Sequence, residues 1–247
     1  MLPLARNASR RSVLACASRL HSTVAHAAPS VAYTDPARSQ DPSVLTTPRD
    51  IPPALREELE SALRVDQAGE LAANWIYKGQ HDVLGRDPAT GPLIQASTAL
   101  PSPTSIFDRN GQDMWDQEKK HLAVMNKLQI QHRIRPTLLW EFARLGGYGL
   151  GAVTALMGKE AAMACTEAVE TVIGEHYDDQ LKAFEQLPAD HPSVPLLKGV
   201  IREFRDDELE HLDIAVENDS QKAPAHALLS TVVGAGCKVA IELCKRF

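Results

Sequence analysis

Two charged interruptions of an apolar helix face constrain this chain more than any other feature. Positions three and four apart share one face of a helix. One such face reads Met114, Trp115, Glu118, His121, Leu122, Met125, Leu128. A second reads Leu197, Ile201, Phe204, Glu208, His211, Leu212, Ala215. Each is a core-facing stripe broken by one carboxylate and one imidazole at the spacing ExxH. An ionised carboxylate buried without a partner costs several kcal/mol or takes up a proton, so two interruptions of the same kind imply a common partner.

Two further helices each offer one inward glutamate. Leu59, Leu63, Glu70, Ala73 and Tyr77 align on one face, and Met163, Glu170, Ile173, Tyr177 and Leu181 on another. A tyrosine follows each glutamate by seven residues, two turns along the same face. The order Glu, ExxH, Glu, ExxH is an internal two-fold repeat. One Glu from each of two helices and one ExxH from each of the other two form the donor set of a dimetal carboxylate site in a four-helix bundle. Four carboxylates carry a charge that two divalent cations neutralise, and oxygen-rich ligation suits iron or manganese better than tetrahedral zinc. The alternative is a bundle whose carboxylates pair with Arg64, Arg202 or Arg205.

The rest of the sequence supports an all-α reading. Helices are expected over about 54–84, 113–133, 137–157, 159–187, 193–218 and 224–247, with no run of alternating β-branched residues. The prolines at 36, 42, 48, 52 and 53 predict a flexible lead-in over 31–53, and 86–112 reads as a long Pro/Gly loop. Residues 54–247 are expected to form one domain. Two stretches lack charged residues apart from His226: Leu145–Gly158 and Ala223–Cys237. Both are shorter than the roughly 20 residues that span a bilayer. They read either as interfacial segments or as buried helices.

The net charge of -6 conceals an asymmetry. Residues 1–30 hold Arg6, Arg10, Arg11 and Arg19, five serines and no acid, the profile of a mitochondrial transit peptide. The remainder is acidic and has no basic patch, so nucleic acid is not an expected partner. Cys16, Cys165, Cys237 and Cys244 form no CxxC pair, which argues against a zinc ribbon or a disulfide framework.

Four motifs in order, Arg64-Val-Asp-Gln-Ala-Gly-Glu70, Met114-Trp-Asp-Gln-Glu-Lys-Lys-His121, Leu156-Met-Gly-Lys-Glu-Ala-Ala-Met-Ala-Cys165 and Phe204-Arg-Asp-Asp-Glu-Leu-Glu-His211, resemble the demethoxyubiquinone hydroxylases of ubiquinone biosynthesis. The resemblance runs from about Pro53 to the C-terminus. It implies a ferritin-like antiparallel four-helix bundle with two additional apolar helices. It also implies a di-iron monooxygenase that hydroxylates the ring of polyprenyl demethoxyubiquinone with O2 and electrons from NADH. The iron ligands would be Glu70, Glu118, His121, Glu170, Glu208 and His211, with Glu118 and Glu208 bridging. The expected location is the matrix side of the mitochondrial inner membrane, peripherally bound. Expected partners are other ubiquinone-biosynthesis proteins, including a lipid-binding one, and a second copy of the chain.

The departure from that family is an insertion of about 18 residues, roughly 96–113. Asp207 and Gln117 are read either as hydrogen-bond partners of the ligand histidines across the bundle or as solvated residues. His176 and Tyr177 are relay candidates, Tyr77 is assigned to core packing, and Cys165 to a buried apolar role. The other readings are a ferritin-like iron store, a scaffold for pathway enzymes, and a quinol oxidase.

Overall fold

The computed structural model describes residues 27–86 and 114–247. Residues 1–26 of the transit peptide expected over 1–30, and the insertion expected at about 96–113, therefore lie outside the described residues. Eight α-helices follow in order: α1 Val31–Thr34, α2 Pro42–Leu45, α3 Pro53–Leu84, α4 Met114–His132, α5 Trp140–Leu156, α6 Lys159–Ala183, α7 Ser193–Glu217 and α8 His226–Arg246. No strand occurs among the described residues. The all-α, ferritin-like bundle expected from the sequence is what forms.

Helices α3, α4, α6 and α7 make the bundle. Their shared core includes Leu59, Leu63, Met125, Leu128, Tyr177, Leu197, Ile201 and Phe204, each at most 1% exposed. Full burial of such side chains contributes about 1.5–3 kcal/mol apiece. Helices α5 and α8 lie outside, α5 against α3 and α8 against α6 and α3. The approach of α5 to α3 requires glycine. A Cβ built on Gly151 would fall 2.0 Å from the Ile76 carbonyl oxygen, and one on Gly147 would fall 2.5 Å from that of Ala72. Between α5 and α6 the chain turns at Gly158, whose φ of 117° is open to glycine and strained for other residues.

The segment 31–53 corrects the expectation of a flexible lead-in. Asp35 and Asp41 each accept a backbone N–H two residues on, and Pro36 and Pro42 occupy the first helical position, where proline needs no donor. The prolines thus start short helical turns. Tyr33 is buried and donates to Gln131 Oε1 at 2.6 Å. The Gln131 amide in turn donates to the Ser43 and Thr46 carbonyls. Ser30, at the expected leader boundary, is itself buried and donates through N and Oγ to the Glu203 carboxylate.

Helix α8 corrects a second expectation. Its 21 residues and mean hydropathy of 1.6 over 18 of them make it long and apolar enough to cross a membrane by length and composition. The uncharged run Ala223–Cys237 underestimates it, because α8 continues to Arg246.

Candidate metal centre

All six sequence-predicted ligands meet in the bundle interior. Glu70 comes from α3, Glu118 and His121 from α4, Glu170 from α6, Glu208 and His211 from α7, and none is more than 2% exposed. They form two groups, Glu70, Glu118, His121, Glu208 and Glu118, Glu170, Glu208, His211; within each, one donor atom per residue lies within 4.8 Å of the others. Glu118 and Glu208 belong to both, the arrangement expected of bridging carboxylates. His121 Nδ1 is 3.4 Å from Glu70 Oε2 and 3.2 Å from Glu208 Oε1. His211 Nδ1 is 3.2 Å from Glu118 Oε1 and 3.3 Å from Glu208 Oε2.

The ring faces are set from behind. His121 Nε2 lies 2.9 Å from Asp207 Oδ2, and His211 Nε2 lies 2.5 Å from Gln117 Oε1. Each acceptor takes the Nε2 proton and leaves the Nδ1 lone pair toward the cluster. Asp207 and Gln117 are therefore partners of the histidines, and each belongs to the opposite half of the repeat. The tyrosines cross in the same way. Tyr177 of α6 donates to Glu70 of α3, while Tyr77 of α3 donates to Glu170 Oε1 at 2.9 Å. Core packing, the role expected of Tyr77, thus omits its hydroxyl contact with the cluster. Ring packing also fixes His121, which stacks on Phe204 with centroids 3.9 Å apart.

After those bonds, Glu70 Oε2, both Glu118 oxygens, Glu170 Oε2, Glu208 Oε2 and the Nδ1 atoms of both histidines remain buried without a hydrogen-bond partner. A folded core leaves such atoms few and scattered, and here seven gather around one volume. Hard carboxylate oxygens with one imidazole per group fit two divalent cations. Without cations the cluster must hold protons. Burial, reinforced by the Glu208 charge, pushes the Glu118 and Glu170 carboxyls well above the usual carboxylate range. Burial also raises Glu70. Glu208 is buried too, yet the two imidazoles beside it, His121 and His211, pull it below its ordinary value. The surrounding carboxylates lift His121 and His211 in spite of burial.

The arginine-paired alternative does not form. Arg64 donates to the Arg135 and Lys245 carbonyls, and Arg205 pairs with Asp178 and Asp206. Of the relay candidates, Tyr177 touches Glu70, but His176 is one step removed. Its Nε2 lies 2.9 Å from Asp66 Oδ1, and Asp66 Oδ2 accepts from Gln180. Asp66, wholly buried and raised by that burial, is a residue the sequence reading missed. Its signal was its place one turn before Glu70 on the same face. Cys165 is buried, with its thiol pushed up to about 12, in keeping with an inert apolar role.

An apolar cavity of about 260 Å³ lies between α3, α5, α6 and α8. Gly69 and Ala73, which flank Glu70, and Val169 and Ile173, which flank Glu170, contribute to its wall. Phe142 lines its edge and is exposed, and farther out α5 and α8 expose Leu145, Val153, Leu228 and Val232.

The helix order, the two-fold ExxH repeat and the orphaned donors define a ferritin-like protein with a carboxylate–histidine cluster that could hold metal. Within that class the chain belongs to a particular family, described as ubiquinone biosynthesis protein COQ7, whose model matches residues 57–244. It is 47% identical over 192 residues to a Bos taurus protein named NADPH-dependent 3-demethoxyubiquinone 3-hydroxylase, mitochondrial, covering 77% of this chain and 79% of that one. It is 39% identical over 198 residues to the Saccharomyces cerevisiae 5-demethoxyubiquinone hydroxylase, mitochondrial, covering 76% and 78%. A Rhodospirillum rubrum 3-demethoxyubiquinol 3-hydroxylase is 42% identical over 188 residues, covering 76% and 78%.

Proposed function

We propose that this chain is a monooxygenase that hydroxylates the ring of polyprenyl demethoxyubiquinone, a step of ubiquinone biosynthesis. Family membership supports the substrate and reaction class, and the cluster of buried, unpartnered carboxylate and imidazole atoms is the observation that carries the chemistry. Two iron ions are the metal we assign, held by Glu70, Glu118, His121, Glu170, Glu208 and His211, with Glu118 and Glu208 shared. Iron supplies the reductive activation of O2 that none of the twenty side chains provides.

The chain's own residues hold and shield the site. Asp207 and Gln117 keep His121 and His211 in the tautomer that presents Nδ1. Tyr177 and Tyr77 each bind one oxygen of Glu70 and Glu170, which fixes the carboxylate plane and leaves the second oxygen for metal. The bundle core excludes water, so a ring delivered through the apolar cavity meets the reacting centre in a dry volume. The electron source expected from the sequence resemblance was NADH; the mammalian relatives' names specify NADPH, and we assign NADPH here.

A polyprenyl substrate resides in a bilayer, and the exposed apolar side chains of α5 and α8 suit a membrane surface. We assign a peripheral site on the matrix side of the mitochondrial inner membrane, consistent with the mitochondrial relatives. Its partners would be a lipid-binding protein of the pathway and a second copy of the chain.

The test is mass spectrometry of the quinone after incubation of iron-loaded protein with demethoxyubiquinone, NADPH and 18O2. The expected product is heavier by one 18O atom and disappears with Glu208→Ala. Absence of label even when the iron is reduced chemically would overturn the assignment and favour a scaffold.

A further inference from the structure

At the end of the bundle away from the metal cluster, three arginines line one cavity of about 480 Å³: Arg49 ahead of α3, Arg56 in its first turn, and Arg133 just past α4. Arg56 precedes Glu70 by fourteen residues and Arg133 follows His121 by twelve, so roughly 20 Å of helix separates this cavity from the cluster. No acidic side chain lines it among the described residues. Arg56 pairs with Glu60 at 2.5 Å and also donates to the His132 carbonyl. Arg49 and Arg133 make no ion pair among the described residues. The adjoining cavity shares Arg133 and Gln131 and adds Lys127 together with one acid, Asp35. This concentration of positive charge stands out in a chain of net charge -6.

The backbone supplies a second, independent observation. Helix α4 ends with Ile134 N–H bonded to the Gln129 carbonyl at 2.8 Å and Arg133 N–H to the Ile130 carbonyl at 3.2 Å. This is the Schellman arrangement, whose left-handed position normally belongs to glycine. Arg133 occupies it with φ of 57°. Arg133 thus lines the cavity from a left-handed backbone position, a conformation that Asp219 and Ala225 also adopt.

We propose that this cavity binds a phosphate-bearing anion, gripped by Arg49, Arg56 and Arg133. Guanidinium forks match phosphate oxygens two at a time, and the cavity is larger than a single carboxylate needs. The phosphate could belong to a free polyphosphate or to a lipid headgroup, since Leu45 at the rim is half exposed.

The test uses the full metal-loaded chain, titrated calorimetrically with pyrophosphate. Separately, it is sedimented with neutral vesicles and with vesicles containing phosphatidylglycerol. The variants are Arg49→Gln and Arg133→Gly. Glycine suits the left-handed backbone, so Arg133→Gly is expected to fold at least as well as the parent. Metal stripping by pyrophosphate would affect parent and variants alike, so the difference between chains is the readout. Loss of one charge-assisted contact should weaken pyrophosphate binding about tenfold in either variant. If pyrophosphate does not bind, but the preference for anionic vesicles drops by a similar factor in both variants, the phosphate is a lipid headgroup. Indifference of both variants to both probes would overturn the site.

Discussion

The interior of this protein carries charge and part of its surface carries hydrocarbon. Glu118 is fully buried with both oxygens unpartnered, while Phe142 on α5 is 74% exposed and Leu228 on α8 is 66% exposed. Each region inverts the usual distribution, and each inversion has the same logic. A buried carboxylate without a partner is unfavourable, and so is a contiguous apolar surface in water. Both call for something from outside the chain, and the proposed function supplies cations for the first and lipid for the second. The two regions sit on opposite sides of the same helices. Glu70 faces inward from α3, and Gly69 and Ala73 of that helix face the cavity that α5 and α8 close. The cavity thus lies between the carboxylate–histidine cluster and the helices that carry the exposed apolar side chains, which suits the proposed delivery of a membrane-borne ring to the cluster.

The largest way to break the comparison is to remove a shared ligand. Glu208 belongs to both donor groups, so Glu208→Ala should abolish hydroxylation and lower the iron content for both positions, read by turnover and elemental analysis. A variant that keeps both metals and turnover would separate the cluster from the chemistry. The outer region is tested by charge. Leu145→Glu with Val232→Glu places two carboxylates on positions 65% and 60% exposed. Loss of about 1.5–3 kcal/mol of apolar transfer per residue predicts a fall of a hundredfold or more in liposome partitioning. Because neither position packs in the core, thermal stability should move by less than about 0.5 kcal/mol. Unchanged flotation would remove the lipid half of the comparison while leaving the metal half standing.

A smaller effect separates the two halves of the inner site. Asp207→Ala takes away the acceptor behind His121, and Gln117→Ala the acceptor behind His211. Loss of such an outer partner costs about 10–100-fold in metal affinity. The charged acceptor holds its proton more strongly than a neutral amide, so Asp207→Ala is expected to weaken binding more. Competition with a chelator measures both, and equal losses would show that charge behind the ring is immaterial.

Much of this was legible before any coordinates, for a physical reason. A buried charge leaves a mark on an apolar stripe that no solvated residue can imitate, so Glu118, His121, Glu208 and His211 stood out, and their repeat drew in Glu70 and Glu170. Helix limits followed from proline and glycine to within a few residues. What escaped depends on pairs remote in sequence. That Tyr77 reaches Glu170 and Tyr177 reaches Glu70 follows from the crossing of α3 with α6, of which the seven-residue spacing records only half. Asp66 and His176 are 110 residues apart; Asp66 interrupts the Glu70 stripe, but nothing local in the sequence pairs it with His176. The prolines of 31–53 were misleading because a proline that forbids the middle of a helix favours its first turn, and the aspartates at 35 and 41 settle which role applies.

The smallest effect is a matter of sign. In the metal-free protein, Glu70, Glu118, Glu170, His121 and His211 all bind protons more tightly than in an unfolded chain. A group raised in this way contributes stability that is complete below its unfolded value and is lost as pH rises through the folded one. For the carboxylates the loss begins above about 4.3, and for the imidazoles above about 6.5. Within the cluster Glu208 alone works in the opposite sense, and outside it the buried His132, lowered to about 4, opposes the trend up to about pH 6.5. The metal-free Tm should therefore fall between pH 5 and pH 8. Cations displace those same protons, so the increase in Tm on adding iron should be larger at pH 8 than at pH 6. At 2–4 °C per kcal/mol for a domain of this size, a difference of several degrees is expected by calorimetry under anaerobic conditions. An iron-dependent increase that shrinks with rising pH would mean that metal and protons do not compete for these side chains. In that case the buried cluster and the exposed apolar face would no longer be two instances of one design.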